Sequence, residues 1–220
     1  MENLGFNIES SLSKYFSIMK DRPEEFLNSG LIDIVKDLQT LVDFHRSTNI
    51  PIGVIYESPY NILVVDVIKS SDGTLYTYER VIKSDIGTPV VAITTRDGKF
   101  LLLNQFRHAM RCNQLSFVRG HGMGVLSEDG TISVEIVEEL GVQPKTITKL
   151  GEVVADSGLS GTLVSVFSCE VSTPIIKEEY EGIKGYIELT QEELEQYINE
   201  GKITDCFTLS AFLLYKLRRS

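Results

Sequence analysis

Apolar positions follow two rhythms along this chain, and the change between them divides it. From Ile8 to Met19 the residues Leu12, Tyr15, Phe16 and Met19 recur near the period of an amphipathic helix, and Leu31 to Phe44 repeats that pattern. Asp21-Arg22-Pro23 and Asn28-Ser29-Gly30 punctuate the helical stretch, and Asn49-Ile50-Pro51 closes it. Beyond Gly53 the spacing turns to alternation. Val54 to Tyr56, Ile62 to Lys69 and Thr74 to Lys83 predict strands, with Ser71-Asp72-Gly73 as a tight turn. The expected organisation is a helical extension over residues 1–48, antiparallel strands over 52–86 and a larger domain over 87–220.

In that larger part, Val90 to Thr95, the turn Arg96-Asp97-Gly98 and Phe100 to Phe106 repeat the strand-turn-strand signature. A glycine-rich turn, Arg119-Gly120-His121-Gly122-Met123-Gly124, then precedes an acidic helix that Gly141 stops. Thr146 to Val154, Leu163 to Val171 and Gly185 to Leu189 read as further strands. Thr190 and Glu193 have the spacing of a capping box for a helix ending near Gly201, and Asp205 can cap a last helix through Tyr215. Strands interleaved with one central helix and closed by terminal helices predict an α/β fold.

Composition narrows the classes of function. A chain of 220 residues with 42% apolar content can bury a substantial core. No apolar run approaches the ~18 to 20 residues that cross a bilayer, and no charged-then-apolar leader opens the sequence, so a cytoplasmic protein with no membrane partner is expected. Cys112, Cys169 and Cys206 are odd in number and widely spaced, which argues for reduced packing residues rather than disulfides or a zinc site. A net charge of -10 disfavours nucleic acid as a partner, since backbone binding needs clustered Lys and Arg. It leaves room for a nucleotide held through metal ions and one or two arginines.

The candidate chemistry begins with Glu135, Glu138 and Glu139, whose i, i+3, i+4 spacing puts three carboxylates on one helix face. Either water screens them on an exposed face, or a hard cation such as Mg2+ or Mn2+ neutralises them. Together with Gly120, Gly141 and Val142 they match in register a pattern of Gly, five residues, Glu, seven residues, Arg-Glu, an aliphatic, any residue, Glu-Glu, any residue, Gly and an aliphatic. The segment therefore resembles the Nudix box. Two positions depart: the family's first Glu falls on Leu126 and its Arg on Val134. In the family those two pair and fasten loop to helix, so this chain would hold a Leu126–Val134 apolar contact in their place. Glu128 could stand in for the missing acid only through a bulged loop; otherwise it is an exposed loop acid.

The resemblance extends over roughly residues 54–215. Ile55-Tyr56-Glu57-Ser58-Pro59-Tyr60, Leu103-Asn104-Gln105-Phe106-Arg107-His108, Asp156-Ser157-Gly158-Leu159 and Ile203-Thr204-Asp205-Cys206-Phe207-Thr208-Leu209 are similar to segments of ADP-ribose pyrophosphatase-like members. It implies a Nudix-type α/β/α sandwich with a mixed sheet, preceded by the helical extension. The activity implied is metal-dependent cleavage of the pyrophosphate in a nucleoside diphosphate linked to another moiety, with ADP-ribose giving AMP and ribose 5-phosphate. Further departures are Ser116 and Val118, where relatives show Glu and Pro, and Ala155, near a Pro that often marks ADP-ribose specificity. They favour an alternative, a catalytically weakened Nudix-fold module that binds a nucleotide or a partner protein.

Roles carried over by the resemblance keep their alternatives. Glu135 and Glu139 would be direct ligands of Mg2+ (or Mn2+), and Glu138 a ligand or a water-mediated contact. Arg107 would reach phosphate or ribose, or else pair with one of the many acids as an ordinary surface arginine. Arg119 beside Gly120 would face phosphate or brace the loop. The general base would be a loop glutamate among Glu178, Glu179 and Glu181, a run that reads equally as a solvated acidic loop. His121 could contact phosphate or be polar surface, and Gly158 and Gly161 would shape a loop near the adenine or terminal ribose. Similar enzymes form homodimers through strands that fall here at residues 54–83, unless the helical extension covers that surface.

Overall fold

The computed structural model describes residues 6–84, 87–122, 126–176 and 180–219. Contacts group the chain into two units, Met1–Asp85 with Asp156–Thr162, and Ile86–Ala155 with Leu163–Ser220.

The N-terminal unit begins with α1 (Ile8–Asp21), capped by the Asn7 side chain on Ser10 N–H, and a 3-10 turn, Pro23–Phe26. Residues expected to begin a second helix at Leu31 instead form a short strand, β1 (Ile32–Ile34), and α2 starts only at Leu38 and runs to Thr48. Asp37 is the reason: its carboxylate accepts from Thr40 N–H at 2.8 Å and sets the N-terminus there, while the β-branched run Ile32-Asp33-Ile34-Val35 pairs with the sheet. The strands β2 (Gly53–Glu57), β3 (Asn61–Ser70) and β4 (Leu75–Lys83) lie where alternation puts them. All pairings are antiparallel around a central β3, with β4 along one edge and β2 then β1 along the other.

Leu12, Tyr15, Phe26, Leu41 and the inward residues of β2 to β4 form one core, so the helices bury their apolar stripe against this sheet. Ser11 fastens α1 to β2, its hydroxyl meeting the carbonyls of Ile52 and Val54 at 2.6 and 2.9 Å. Gly53 between them has φ +87°, and a Cβ there would overlap that hydroxyl. Deeper in the same core, Tyr15 Oη donates to Asp66 Oδ1 at 2.5 Å and Arg80 Nε donates to Asp66 Oδ2 at 2.6 Å. Arg80 also donates to the Glu25 carbonyl and lies over the Phe26 ring, joining β4, β3 and the 3-10 turn. Burial and the neighbouring Asp66 charge hold the Tyr15 phenol far above its ordinary pKa, so it stays a donor. The segment Asp156–Thr162 belongs to this unit: Gly158 accepts from Tyr78 Oη at 2.6 Å and Leu159 from Val81 N–H at 2.8 Å.

The larger unit is a mixed sheet between helices. Its strands are β5 (Pro89–Arg96), β6 (Lys99–Arg107), β7 (Cys112–Ser116), β8 (Val118–His121), β9 (Pro144–Val154), β10 (Leu163–Val171) and β11 (Ile183–Leu189). They run in the order β11-β6-β5-β10-β9, with β10 parallel to β5 and the other pairs antiparallel. β5 and β6 pair only near their connecting turn, at Thr94 to Arg96, and then part. β7 continues along β6 and β8 along β5.

Alternation along β5 and β6 sends Val90, Ala92, Leu101 and Leu103 to one face, where α3 (Glu128–Leu140) packs through Ile132, Ile136 and Leu140. It sends Val91, Ile93, Phe100 and Leu102 to the other face, against α4 (Gln191–Asn199) and α5 (Cys206–Arg219). The α/β/α sandwich with a mixed sheet is therefore as expected from the sequence. So are the Thr190–Glu193 capping box and the Gly141 stop, which adopts the left-handed conformation. The cysteines divide: Cys169 packs in the α3-side core with its thiol pushed up to about 12 by burial, whereas Cys112 and Cys206 are exposed and are not packing residues.

Two measurements check this fold. Asp66→Ala should destabilise the protein by about 3–5 kcal/mol, because it leaves Arg80 without its buried partner, against about 1 kcal/mol for Tyr15→Phe, both read from urea midpoints. A thiol-reactive chromophore should titrate Cys112 and Cys206 in the native protein and reach Cys169 only on unfolding.

Candidate active site

A geometric match between a helix and a strand builds the site. Four residues along a helix advance about 6 Å and two along a strand about 6.8 Å, so an i, i+4 stripe can stay in step with alternate strand residues. Thr131, Glu135 and Glu139 form such a stripe on α3 and lie along β8. A Cβ on Gly122 would strike the Thr131 side chain, and a Cβ on Gly120 would fall on the Glu135 carboxylate. Gly120 is thus a strand residue paired with Val90, not part of a turn as expected from its glycine-rich surroundings, and its bare backbone admits Glu135. Met123 and Gly124 lie outside the described residues.

The carboxylates of the stripe are withdrawn from water. Glu139 is 3% exposed, accepts from the Arg119 backbone N–H, and keeps Oε2 without a hydrogen-bond partner. Burial first, then the Glu135 charge, push its pKa up to about 8. Glu135 is half-buried, faces the His121 backbone N–H, and is pushed up by desolvation and by Glu138. Glu138 itself is exposed. Among the described residues, no three carboxylate, imidazole or thiol groups are gathered into a cluster that would hold a metal unaided.

Two further groups face this pair. Arg107, at the end of β6, donates to Ser116 Oγ at 3.0 Å; burial and Arg119 lower its pKa, and Glu139, Asp205 and Glu181 oppose that fall. Glu181 adds its charge to the field raising both Glu135 and Glu139. Its backbone holds a left-handed conformation, φ 47° and ψ 32°, in the turn before β11, and its carbonyl accepts from buried Gln105 Nε2 at 3.0 Å. Gln105 holds the Glu181 backbone and Ser116 holds Arg107; the sequence marks Ser116 only as a departure from the resemblance and gives Gln105 no role of its own. The inward-facing polar positions at the ends of β6 and β7 are the signal that marks them.

Arg119 braces the strand. Its guanidinium pairs with Asp205 Oδ1 at 2.8 Å and lies over the Phe207 ring. Asp205 caps α5 as expected, accepting from both the N–H and the hydroxyl of Thr208. Thr208 Oγ1 in turn accepts from Phe117 N–H at 3.1 Å, between β7 and β8. Glu128 is the first residue of α3 and is committed to Lys149 at 2.6 Å, so it does not replace the missing acid. Leu126 and Val134 are 54% and 42% exposed, and neither belongs to a buried core among the described residues. Gly158 makes its contacts within the N-terminal unit rather than with α3. Glu178 and Glu179 lie outside the described residues; among those described, Glu181 is the loop glutamate whose charge reaches Glu135 and Glu139.

The site thus brings together Glu135, Glu139, Glu181 and Arg107 with Arg119 as a brace. No family model matches the sequence, and no curated protein does. Solved structures match its fold. One, a crystal structure of an ADP compounds hydrolase, aligns with 74% of this chain and 88% of its own at a TM-score of 0.64 and 14% identity. The likeness is one of fold, an α/β/α sandwich with a mixed sheet.

Proposed function

We propose that the chain is a Nudix pyrophosphohydrolase that cleaves a nucleoside diphosphate linked to another moiety, with ADP-ribose its foremost substrate and Mg2+ or Mn2+ its cofactor. The observation that carries the reading is the buried Glu139 carboxylate, whose Oε2 has no hydrogen-bond partner, beside Glu135, with the charges of Glu181 and Arg107 acting on it. Buried carboxylates crowded together are costly unless a cation joins them. Mg2+ characteristically takes one or two carboxylates and completes its shell with water and substrate phosphates, which suits a site lacking a third fixed ligand. Glu135 and Glu139 would hold it, with Glu138 acting through water.

When bound, the cation supplies charge neutralisation at the phosphates and acidifies water. Arg107 would grip the diphosphate through its planar guanidinium. Glu181, fixed by Gln105, would accept the proton of the attacking water as its oxygen joins phosphorus and the bridging oxygen leaves with the second moiety. With ADP-ribose the products are AMP and ribose 5-phosphate. The neighbour's description as an ADP compounds hydrolase agrees with this substrate class. A second reading, a binding module without efficient hydrolysis, draws support from exposed Leu126 and Val134, where the family carries its loop-fastening pair.

A panel of ADP-ribose, NADH, a diadenosine polyphosphate and sugar nucleotides, assayed with Mg2+ or Mn2+, decides between them. Multiple turnovers are expected on ADP-ribose; calorimetric binding with no product from any member would establish the binding module instead. Glu139→Gln should lower turnover at least about a hundredfold and abolish the rise in unfolding temperature that Mn2+ gives the wild type. Gly120→Ala should reduce turnover about a hundredfold while the protein stays folded by circular dichroism, because the new methyl displaces the Glu135 carboxylate.

A further inference from the structure

On the β6–β11 side the larger unit holds an open cleft of about 710 Å3, walled among the described residues by Phe106, Ile176, Gly182, Lys184, Gly185 and Tyr186. Two of its lining residues are chain neighbours of proposed catalytic groups, Phe106 of Arg107 and Gly182 of Glu181. Its walls are unlike the rest of that site. Two aromatic rings and an isoleucine supply apolar surface, with Ile176 and Tyr186 held against the α3-side core. Lys184 is exposed and is the one charged side chain among the residues that line it.

Bare backbone makes up the remainder. Pairing of β11 with β6 slips between Ile183 and Gly185, a bulge that interrupts the ladder at this point. Gly182 and Gly185 have φ of +76° and +143°, and no atom lies within 4 Å of where a Gly185 Cβ would stand. β11 ends the strand order of the sheet, so its outer backbone edge, bare at Gly185, can be approached closely by a ligand, next to surfaces on which a flat ring can lie.

We infer that this cleft takes the heteroaromatic base of the nucleoside, stacked on Tyr186 or Phe106, and so assigns the base end of the substrate to the β6–β11 side. The inference rests on the reading of the protein as acting on a nucleoside diphosphate derivative. A sugar phosphate would need several hydroxyl or charged partners, and the lining offers one lysine. A planar base needs ring faces and a few backbone donors and acceptors, which the lining has. The volume lies within the several hundred Å3 usual for small-molecule pockets.

The two halves of the expected product serve as probes. Calorimetry with Mg2+ should show AMP binding to the wild-type protein, weakened at least about tenfold in Tyr186→Ala, retained in Tyr186→Phe, with ribose 5-phosphate unaffected by either change. In the unaltered protein, 8-azido-AMP should photolabel peptides carrying Phe106, Ile176 or Tyr186, a readout that does not depend on the variants folding. Labelling confined to other segments, or equal AMP affinity in Tyr186→Ala and wild type, would overturn the assignment. Absence of turnover on the substrate panel with labelling still in the cleft would sink the hydrolase reading alone. Turnover with labelling elsewhere would sink the cleft assignment alone.

Discussion

Close approach of α3 to β8 is the constraint on which the site depends. A helix normally stands off a sheet by the thickness of two side-chain layers; here the strand beneath the Thr131-Glu135-Glu139 stripe has no Cβ at Gly120 or Gly122, and the helix residues occupy that space. The same helix turns Ile132, Ile136 and Leu140 into the sheet core, so its rotation is fixed by burial rather than by the charged face. Glutamates carried by a helix held in this way cannot swing out to water. The strand offers them two backbone N–H groups, from Arg119 and His121, and nothing else on that side.

That enforced burial is the source of the electrostatics. Desolvation, ahead of any neighbouring charge, is the leading reason that Glu135 and Glu139 are raised and that Arg107 is lowered. Opposite charges near one another in a poorly solvated site would ordinarily collapse into an ion pair, yet Arg107 is held to Ser116 and Glu139 keeps an oxygen unbonded. Separation of this kind costs stability and stores binding capacity. A phosphate-bearing ligand brings anionic oxygens for the arginine and, with a cation, a partner for the carboxylates.

Much of this was legible in the sequence because it rests on short-range pattern. The period of α3, its Gly141 stop, the Thr190–Glu193 box and the Asp205 cap depend on neighbours within a turn of helix. What was not legible depends on distant partners. β1 is extended because β3 offers Ile32–Ile34 a free edge, and β7 and β8 exist because β5 and β6 part company beyond their turn. Glycines at alternate positions suggest a turn by local propensity; pairing with β5 and contact with α3 instead make Gly120 a strand residue and put Gly122 just past the strand end. The brace that Arg119 forms depends on Asp205, far along the chain.

The same long-range contacts hold the strand that underlies the carboxylates. Leu126 and Val134, where the resemblance would put an ion pair between loop and helix, are exposed. The strand is instead pinned from α5. Arg119 pairs with Asp205, Asp205 holds Thr208, and Thr208 receives the Phe117 N–H, so side chain and backbone on either side of Val118 are tied to one helix cap. These bonds are part-buried or buried and close a ring between strand and helix, which makes them mutually reinforcing in a way that an exposed pair is not. Gly120 follows directly on this anchored residue. The position of its bare backbone under Glu135 is therefore set by the α5 side of β8 as well as by α3.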